Sequence, residues 1–297
     1  MANWSGIYPI LYAFWDEHGA LDEAAMRAQV EHCIESGAHG IAVLGLVTEV
    51  HKMDVNERLH LVEVVGTMID GRLPYAVTVG EPSLAGQVAF SKAAAKAGAD
   101  WVILQPPPIK GTSQGDLIRF FGSVADALDV DVAIQNNPID LDVSLSPDAL
   151  VDLNKVHPNI SILKGEGFSV DIARTIEGSG GAYQVFGGYG GIEFPALLRS
   201  GGAGLIPAPD FLKAQVILFE AWQSGDVVRA EAIHQQLLPA IVFMSRSIPG
   251  MLCYGKRLVA KQIGLLEPRD RMPALQPTAF GLSEIEAFEQ QIDQAGQ

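Results

Sequence analysis

The stretch "DVAIQNNPIDLDVSLSPDALVDLNKVHPNISILKGE", residues 131–166, sets out one complete repeat of the chain. "DVAIQ" (131–135) is a short, continuously apolar run of the kind that forms a strand covered on both faces. "LSPDALVDLNKV" reads as a helix, with Ser146 as its cap and Pro147 at the first helical position, where the missing N–H costs nothing. "ISILK" is a second buried strand, ending on Lys164. Strand, helix and strand in this order predict two parallel strands joined by a crossover helix.

The same unit recurs on both sides. "GIYPILYAF" (6–14) precedes a helix running from about Asp22 to Gly37, and "GIAVLGL" (40–46) precedes a helix opened by Asp54. Glu57, three residues after Asp54, completes a capping-box pattern. "YAVTVG" (75–80), "WVILQ" (101–105), "YQVFGG" (183–188) and "AGLIP" (203–207) are each followed by a helical pattern. Eight strand–helix units predict a (β/α)8 barrel, the TIM-barrel class of α/β fold, with a doubly wound open sheet as the alternative. From about Gly225 only helical patterns remain. The expected organisation is a barrel over 1–224 and a C-terminal helical extension over 225–297, packed on the barrel.

Composition narrows the function classes. The chain has 297 residues, 48% of them hydrophobic, enough for a large core and against disorder. A formal charge of −15 argues against nucleic-acid or anionic-membrane partners, which need a basic face. No apolar run reaches the roughly 20 residues of a membrane helix, and "MANWSGIYP" lacks a signal-peptide pattern. Two cysteines, Cys33 and Cys253, lie in helical patterns without CxxC spacing and are expected to be buried and reduced, as in a cytoplasmic protein. The seven histidines show no ligand spacing, so neither metal nor cofactor is expected.

Barrel chemistry gathers where strands end and loops begin. Those ends are Tyr12, "GLVTEVH" (45–51), Gly80-Glu81, Gln105, "QNNP" (135–138), "LKGE" (163–166), "GGYGG" (187–191) and Pro207. Lys164 stands apart among them. An amine ending an apolar strand points into a dry funnel, where burial disfavours the ammonium form and leaves a neutral amine able to attack a carbonyl. The plain alternative is a lysine that snorkels to solvent. Glu166 lies on the same face if the strand continues, either as an acid/base partner or as a loop carboxylate. Glu49 is read as a brace as readily as a catalytic group, and His51 as a loop histidine.

With these residues in place, nearly the whole chain resembles the dihydrodipicolinate synthase/N-acetylneuraminate lyase family of class I aldolases. The resemblance is carried by "DEHGALDEAAMRAQVEHCIESGAHGIAVLG", "VGEPSLAGQVAFSKAAAKAGADWVILQPP", the "NNP" turn, "ILKGE" and "SGGAGLIPA". It puts Lys164 where the family places its Schiff-base lysine. It implies aldol condensation, aldol cleavage or dehydration of a pyruvate-like 2-oxo acid or 2-oxo sugar acid, in a homo-oligomer, tetramer or dimer. A non-catalytic homologue that binds such acids, or a scaffold, is the alternative.

The departures from the family's pattern bear on mechanism. Its Gly-Thr-Thr-Gly-Glu segment here reads Gly45-Leu46-Val47-Thr48-Glu49, without the usual two hydroxyls. Its proton-shuttling tyrosine before Asn-x-Pro is Gln135, whose amide is neither acid nor base near neutrality. The tyrosine after strand 4 falls within Pro106-Pro107-Pro108, and the arginine after the strand 5 proline corresponds to Asp140. Dihydrodipicolinate synthase activity is therefore not expected. Lys164, Gln135, Tyr12, Tyr189 and Glu166 are the candidate catalytic residues, with Tyr12 and Tyr189 ranked first as replacement shuttles. Gly45, Leu46, Val47, Thr48, Asn136, Gly188 and Ile206 are the candidate substrate contacts, and the strand-end amides are expected to suit hydroxyl groups.

Overall fold

The computed structural model describes residues 2–295. Eight parallel strands form one sheet: β1 (Gly6–Ile7), β2 (Ile41–Val43), β3 (Tyr75–Val79), β4 (Trp101–Leu104), β5 (Asp131–Asn136), β6 (Ile160–Gly165), β7 (Gln184–Gly187) and β8 (Gly204–Leu205). From β2 to β8 each strand pairs with the next in the chain, and β8 pairs with β1. The ring closes between β1 and β2 through a parallel bridge at Ile10 and Ala42. The fold is the (β/α)8 barrel, and the open-sheet alternative is excluded by that closure.

β1 is shorter than its apolar run suggests, for a backbone reason. Pro207 has no N–H to return to β1 and Pro9 none to offer β2, so regular two-way pairing stops there. The chain instead threads between its neighbours: Ile10 N donates to Pro207 O at 2.7 Å, while Pro9 O accepts from Ala42 N at 2.9 Å.

The helices start where the caps predict. Asp54 and Glu57 form both halves of a capping box on α2 (Val55–Ile69). Ser146 caps α5 (Pro147–Val156), accepting from Ala149 N at 3.2 Å. Helix α6 (Ser169–Gly178) follows β6, α7 (Phe194–Arg199) follows β7, and α8 (Leu212–Gln223) follows β8. Beyond the barrel come α9 (Val227–Met244), a helix over Ile248–Gln262 that widens to a π turn at Met251–Gly255, and a helix over Ala279–Ala295. Cys253 sits in that π turn; it and Cys33 are buried and unbridged.

One end of the barrel is stoppered. Tyr8, Trp101 and Phe186 pack ring against ring with centroids 5.3 to 5.7 Å apart, all of them buried. Trp101 begins β4, so the plug lies toward the N-terminal ends of the strands, and Trp4 stacks over it at 6.4 Å. Access is left to the opposite end, where β5 and β6 finish.

Candidate active site

Register brings the central residues together. In the β5–β6 ladder Gln135 is paired with Lys164 and Asn136 with Gly165. Glu166 continues the ladder by donating its N–H to Asn136 O at 2.9 Å, so its side chain shares the inner face with that of Lys164. Lys164 is only 4% exposed, and its Nζ lies 3.6 Å from Glu166 Oε1. That is close enough for charge attraction but too long for a hydrogen bond, so the amine is not locked.

Gln135 holds Glu166 in place. Its Nε2 donates to Glu166 Oε2, while its Oε1 accepts from Gln105 Nε2 at 2.8 Å. Gln105 ends β4 beside Gln135, and Gln87 supports it by donating to its carbonyl oxygen at 2.8 Å. Both ends of the Gln135 amide are thereby engaged, and one N–H is turned to the carboxylate. Gly188 makes the arrangement possible: a Cβ there would lie 2.2 Å from Glu166 Oε1. Its part in the site is to leave room for Glu166.

A cavity of about 200 Å³ opens over these groups. Lys164, Gln135, Glu166 and Tyr189 line it, as do Leu46, Val47 and Ile206 from the opposite strands. After β2 the chain makes a tight turn over Leu46–Thr48, and among the described residues no acceptor meets the amides of Leu46 and Val47. Two unfilled backbone donors at the first positions of a turn suit an anion. The helical region contributes Ser245, Arg246 and Ser247 to the mouth, with Arg246 exposed. Arg246 carries no sequence signal, since it lies in a helix–helix connection remote in the chain from every strand end.

Five expected residues lie outside this cavity's lining, Gly188 above among them. Tyr12 turns away: fully buried, its hydroxyl donates to Asp210 Oδ1 at 2.7 Å, and burial pushes its ionisation well above the usual phenol value. Burial likewise pushes the Asp210 carboxyl up to about 7. Thr48 spends its hydroxyl on Leu11 O at 2.7 Å, in the core. Gly45 serves packing, since a Cβ there would sit 2.2 Å from Ile10 Cδ1. Asn136 ties down the following loop, accepting from Leu145 N at 2.8 Å and donating to Leu145 O at 3.0 Å. Its neighbour Asn137 faces the cavity instead.

Tyr189 is in the lining but is engaged. It sits at φ 55° in the turn after β7, a left-handed conformation unusual for an aromatic residue. Its hydroxyl donates to Asp140 Oδ2 at 2.7 Å. Burial and Asp140 both raise its ionisation, so the phenol keeps its proton. Asn137 donates to the same Asp140 oxygen at 3.1 Å. The strand-end amides are thus tied into the protein's own network, each with one N–H beyond these bonds.

The chain belongs to the dihydrodipicolinate synthetase family, whose sequence model matches residues 3–287. It is 29% identical over 222 residues to a 4-hydroxy-tetrahydrodipicolinate synthase of Pelobacter propionicus, covering 74% of this chain and 76% of that one. It is 27% identical over 266 residues to the probable 2-dehydro-3-deoxy-D-pentonate aldolase YjhH of Escherichia coli K12, covering 87% and 88%. Among solved structures it superimposes on YagE, a prophage protein of the same family from E. coli K12 in complex with pyruvate. That match has a TM-score of 0.91 at 26% identity and covers 98% of this chain and 99% of YagE.

Proposed function

We propose that this member of the dihydrodipicolinate synthetase family is a lysine Schiff-base lyase in which Lys164 forms an imine with a pyruvate-like 2-oxo acid and Glu166 moves the proton. The observation that carries the reading is the placement of Glu166 Oε1 3.6 Å from Lys164 Nζ, on a carboxylate anchored by Gln135. A family that usually shuttles protons through a tyrosine at the Gln135 position would here keep the position and change its task. The amide orients a carboxylate, and the carboxylate does acid–base work. The binding of pyruvate by YagE supports the choice of donor.

The steps follow from the geometry. Glu166 takes a proton from Lys164, the freed amine attacks the 2-oxo carbon, and Glu166 returns that proton to the departing hydroxyl, so that water leaves and an iminium faces the carboxylate. The substrate carboxylate rests on the free amides of Leu46 and Val47, with Arg246 at the rim drawing anions toward the mouth. Glu166 then takes a proton from the carbon next to the iminium, and the electron pair flows into the C=N bond to leave a neutral enamine. In the cleavage direction the same carboxylate accepts the proton of the C4 hydroxyl as the C3–C4 bond breaks. Asp140 places a carboxylate, not a cation, beside Tyr189, which supports a reaction other than condensation with an anionic second substrate.

Enamine formation is read directly by proton NMR as exchange of the pyruvate methyl protons in deuterated water. The wild-type protein is expected to catalyse exchange, and Glu166→Gln to slow it by about 10² to 10³ while still forming a borohydride-trapped adduct. Exchange at the wild-type rate in Glu166→Gln would remove Glu166 from its role. No exchange by the wild type with pyruvate or any other 2-oxo acid would contradict the whole reading.

A further inference from the structure

Behind Glu166 lies a second cavity, of about 380 Å³, between the ends of β6 and β7 and the helices α6 and α7. Glycines make it: positions 165, 167, 187 and 188 put no side chain into the space. Adding one at Gly187 would bring a Cβ to 2.7 Å from Leu197 Cδ2. The floor is Ile172, Leu197 and Leu205, and Phe168 and Ile192 stand at its sides. Phe168 is 66% exposed, an apolar ring left in water beside an apolar hollow. The two cavities share Ile139, Glu166 and Tyr189 in their linings, so the hollow adjoins the lysine site across these three side chains.

Its chemistry is one-sided. Among the described residues no lysine, arginine or histidine lines it. Glu193, one of its two carboxylates, is used up by Ser169, whose N–H donates at 3.0 Å and whose hydroxyl donates at 3.3 Å. The other is Glu166. A hydroxylated chain placed here would exchange water for hydrocarbon without replacing its hydrogen bonds, a cost of about 1–3 kcal/mol for each group. In the first cavity Gln135 is held by Gln105 and Glu166 and Asn137 by Asp140, which leaves each amide a single N–H for such a chain.

We propose that the aldehyde joined to or released from the Lys164-bound enamine carries an apolar body, of phenyl or branched-alkyl size, which occupies this glycine-lined hollow. The proposal rests on the lyase reading and adds the class of the second substrate. In condensation, C3 of the enamine bonds to the aldehyde carbon and the carbonyl oxygen takes the proton that Glu166 removed earlier. Water then hydrolyses the iminium, releasing a 4-hydroxy-2-oxo acid and free Lys164. Pyruvate and the aldehyde are the only organic reactants, and no oxidant or reductant is needed.

The test compares kcat/KM for condensation of pyruvate with benzaldehyde and isovaleraldehyde against glyceraldehyde and glycolaldehyde. The apolar aldehydes are expected to be favoured by about tenfold or more. Ile192→Trp, which fills the hollow from its loop, is expected to shrink the benzaldehyde-to-glyceraldehyde ratio by about tenfold. Phe168→Ala, at an exposed position, should shrink it less, in the same direction. Preference for the hydroxylated aldehydes, or a ratio unmoved by both variants, overturns the proposal. So does failure of every aldehyde to react while pyruvate methyl exchange proceeds, which leaves the Lys164 chemistry standing; loss of the exchange itself is the separate failure of the lyase reading.

Discussion

Two lysines of this chain are buried, each opposite a glutamate, and they have little else in common. Lys164 faces a cavity, with its amine 3.6 Å from Glu166 and that carboxylate held from behind by Gln135. Lys256, on the helix after α9, is wholly enclosed and hydrogen-bonded directly to Glu49. Glu49 is further bound by Lys52 at 2.7 Å and approached by Trp15 Nε1 at 3.4 Å. Arg271 lies over the Trp15 ring at 3.8 Å. Burial pulls the Lys256 ammonium below its usual value while Glu49 pulls it back. If Lys164 is the Schiff-base lysine as proposed, desolvation alone does not make a reactive amine. Reactivity also needs open space on one side and a partner near enough to exchange protons without closing into a salt bridge.

The largest effect that would break the comparison comes from exchanging the two roles. Lys164→Ala should abolish adduct formation and lower turnover by on the order of 10⁴-fold, with the thermal unfolding midpoint little changed. Lys256→Met should do the reverse, keeping the adduct and costing about 3 kcal/mol of stability in denaturant titration. That is the lower end for a broken buried pair, because Lys52 still faces Glu49. A Lys256→Met protein that is fully stable yet forms no adduct would invert the assignment.

A medium effect concerns the Tyr12–Asp210 pair between the two regions. The Asp210 carboxyl, raised from an ordinary 3.8 to about 7 by burial, folds more readily protonated than ionised. Its contribution is complete below about pH 4 and is lost as pH rises through about 7. Asp210→Asn removes the titration, so its stability relative to wild type should grow between pH 4 and 8 by on the order of 3 kcal/mol. Urea midpoints at several pH values measure this, and a constant difference would contradict it. The smallest effect is at the rim: Arg246→Gln should raise KM for the 2-oxo acid about threefold to tenfold with kcat nearly held, and the gap should narrow in high salt.

The barrel was legible because each unit states its own period and caps, as Ser146-Pro147 and Asp54 with Glu57 do. Lys164 was legible because a charged residue ending "ISILK" breaks an apolar pattern. Gln105 carried a usable signal too, since both it and Gln135 end neighbouring strands, and parallel register sets them side by side. Tyr12 misled because a strand end does not reveal which way a side chain turns once two-way pairing has stopped at Pro9 and Pro207. Gly188 was singled out as a substrate contact, and its strand end did not reveal that it also leaves space for Glu166. Arg246 and Lys256 were hidden for one reason: tertiary packing brings helices beyond the barrel in sequence onto it. No local pattern records that.

The most direct measurement is borohydride reduction in the presence of pyruvate, followed by peptide mapping of the modified lysine. A single pyruvate-derived increment on the peptide containing Lys164, absent from Lys164→Ala and retained in Lys256→Met, is the expected result. An increment on Lys256 or another lysine, or none with any 2-oxo acid, would contradict the assignment of Lys164 as the reactive amine.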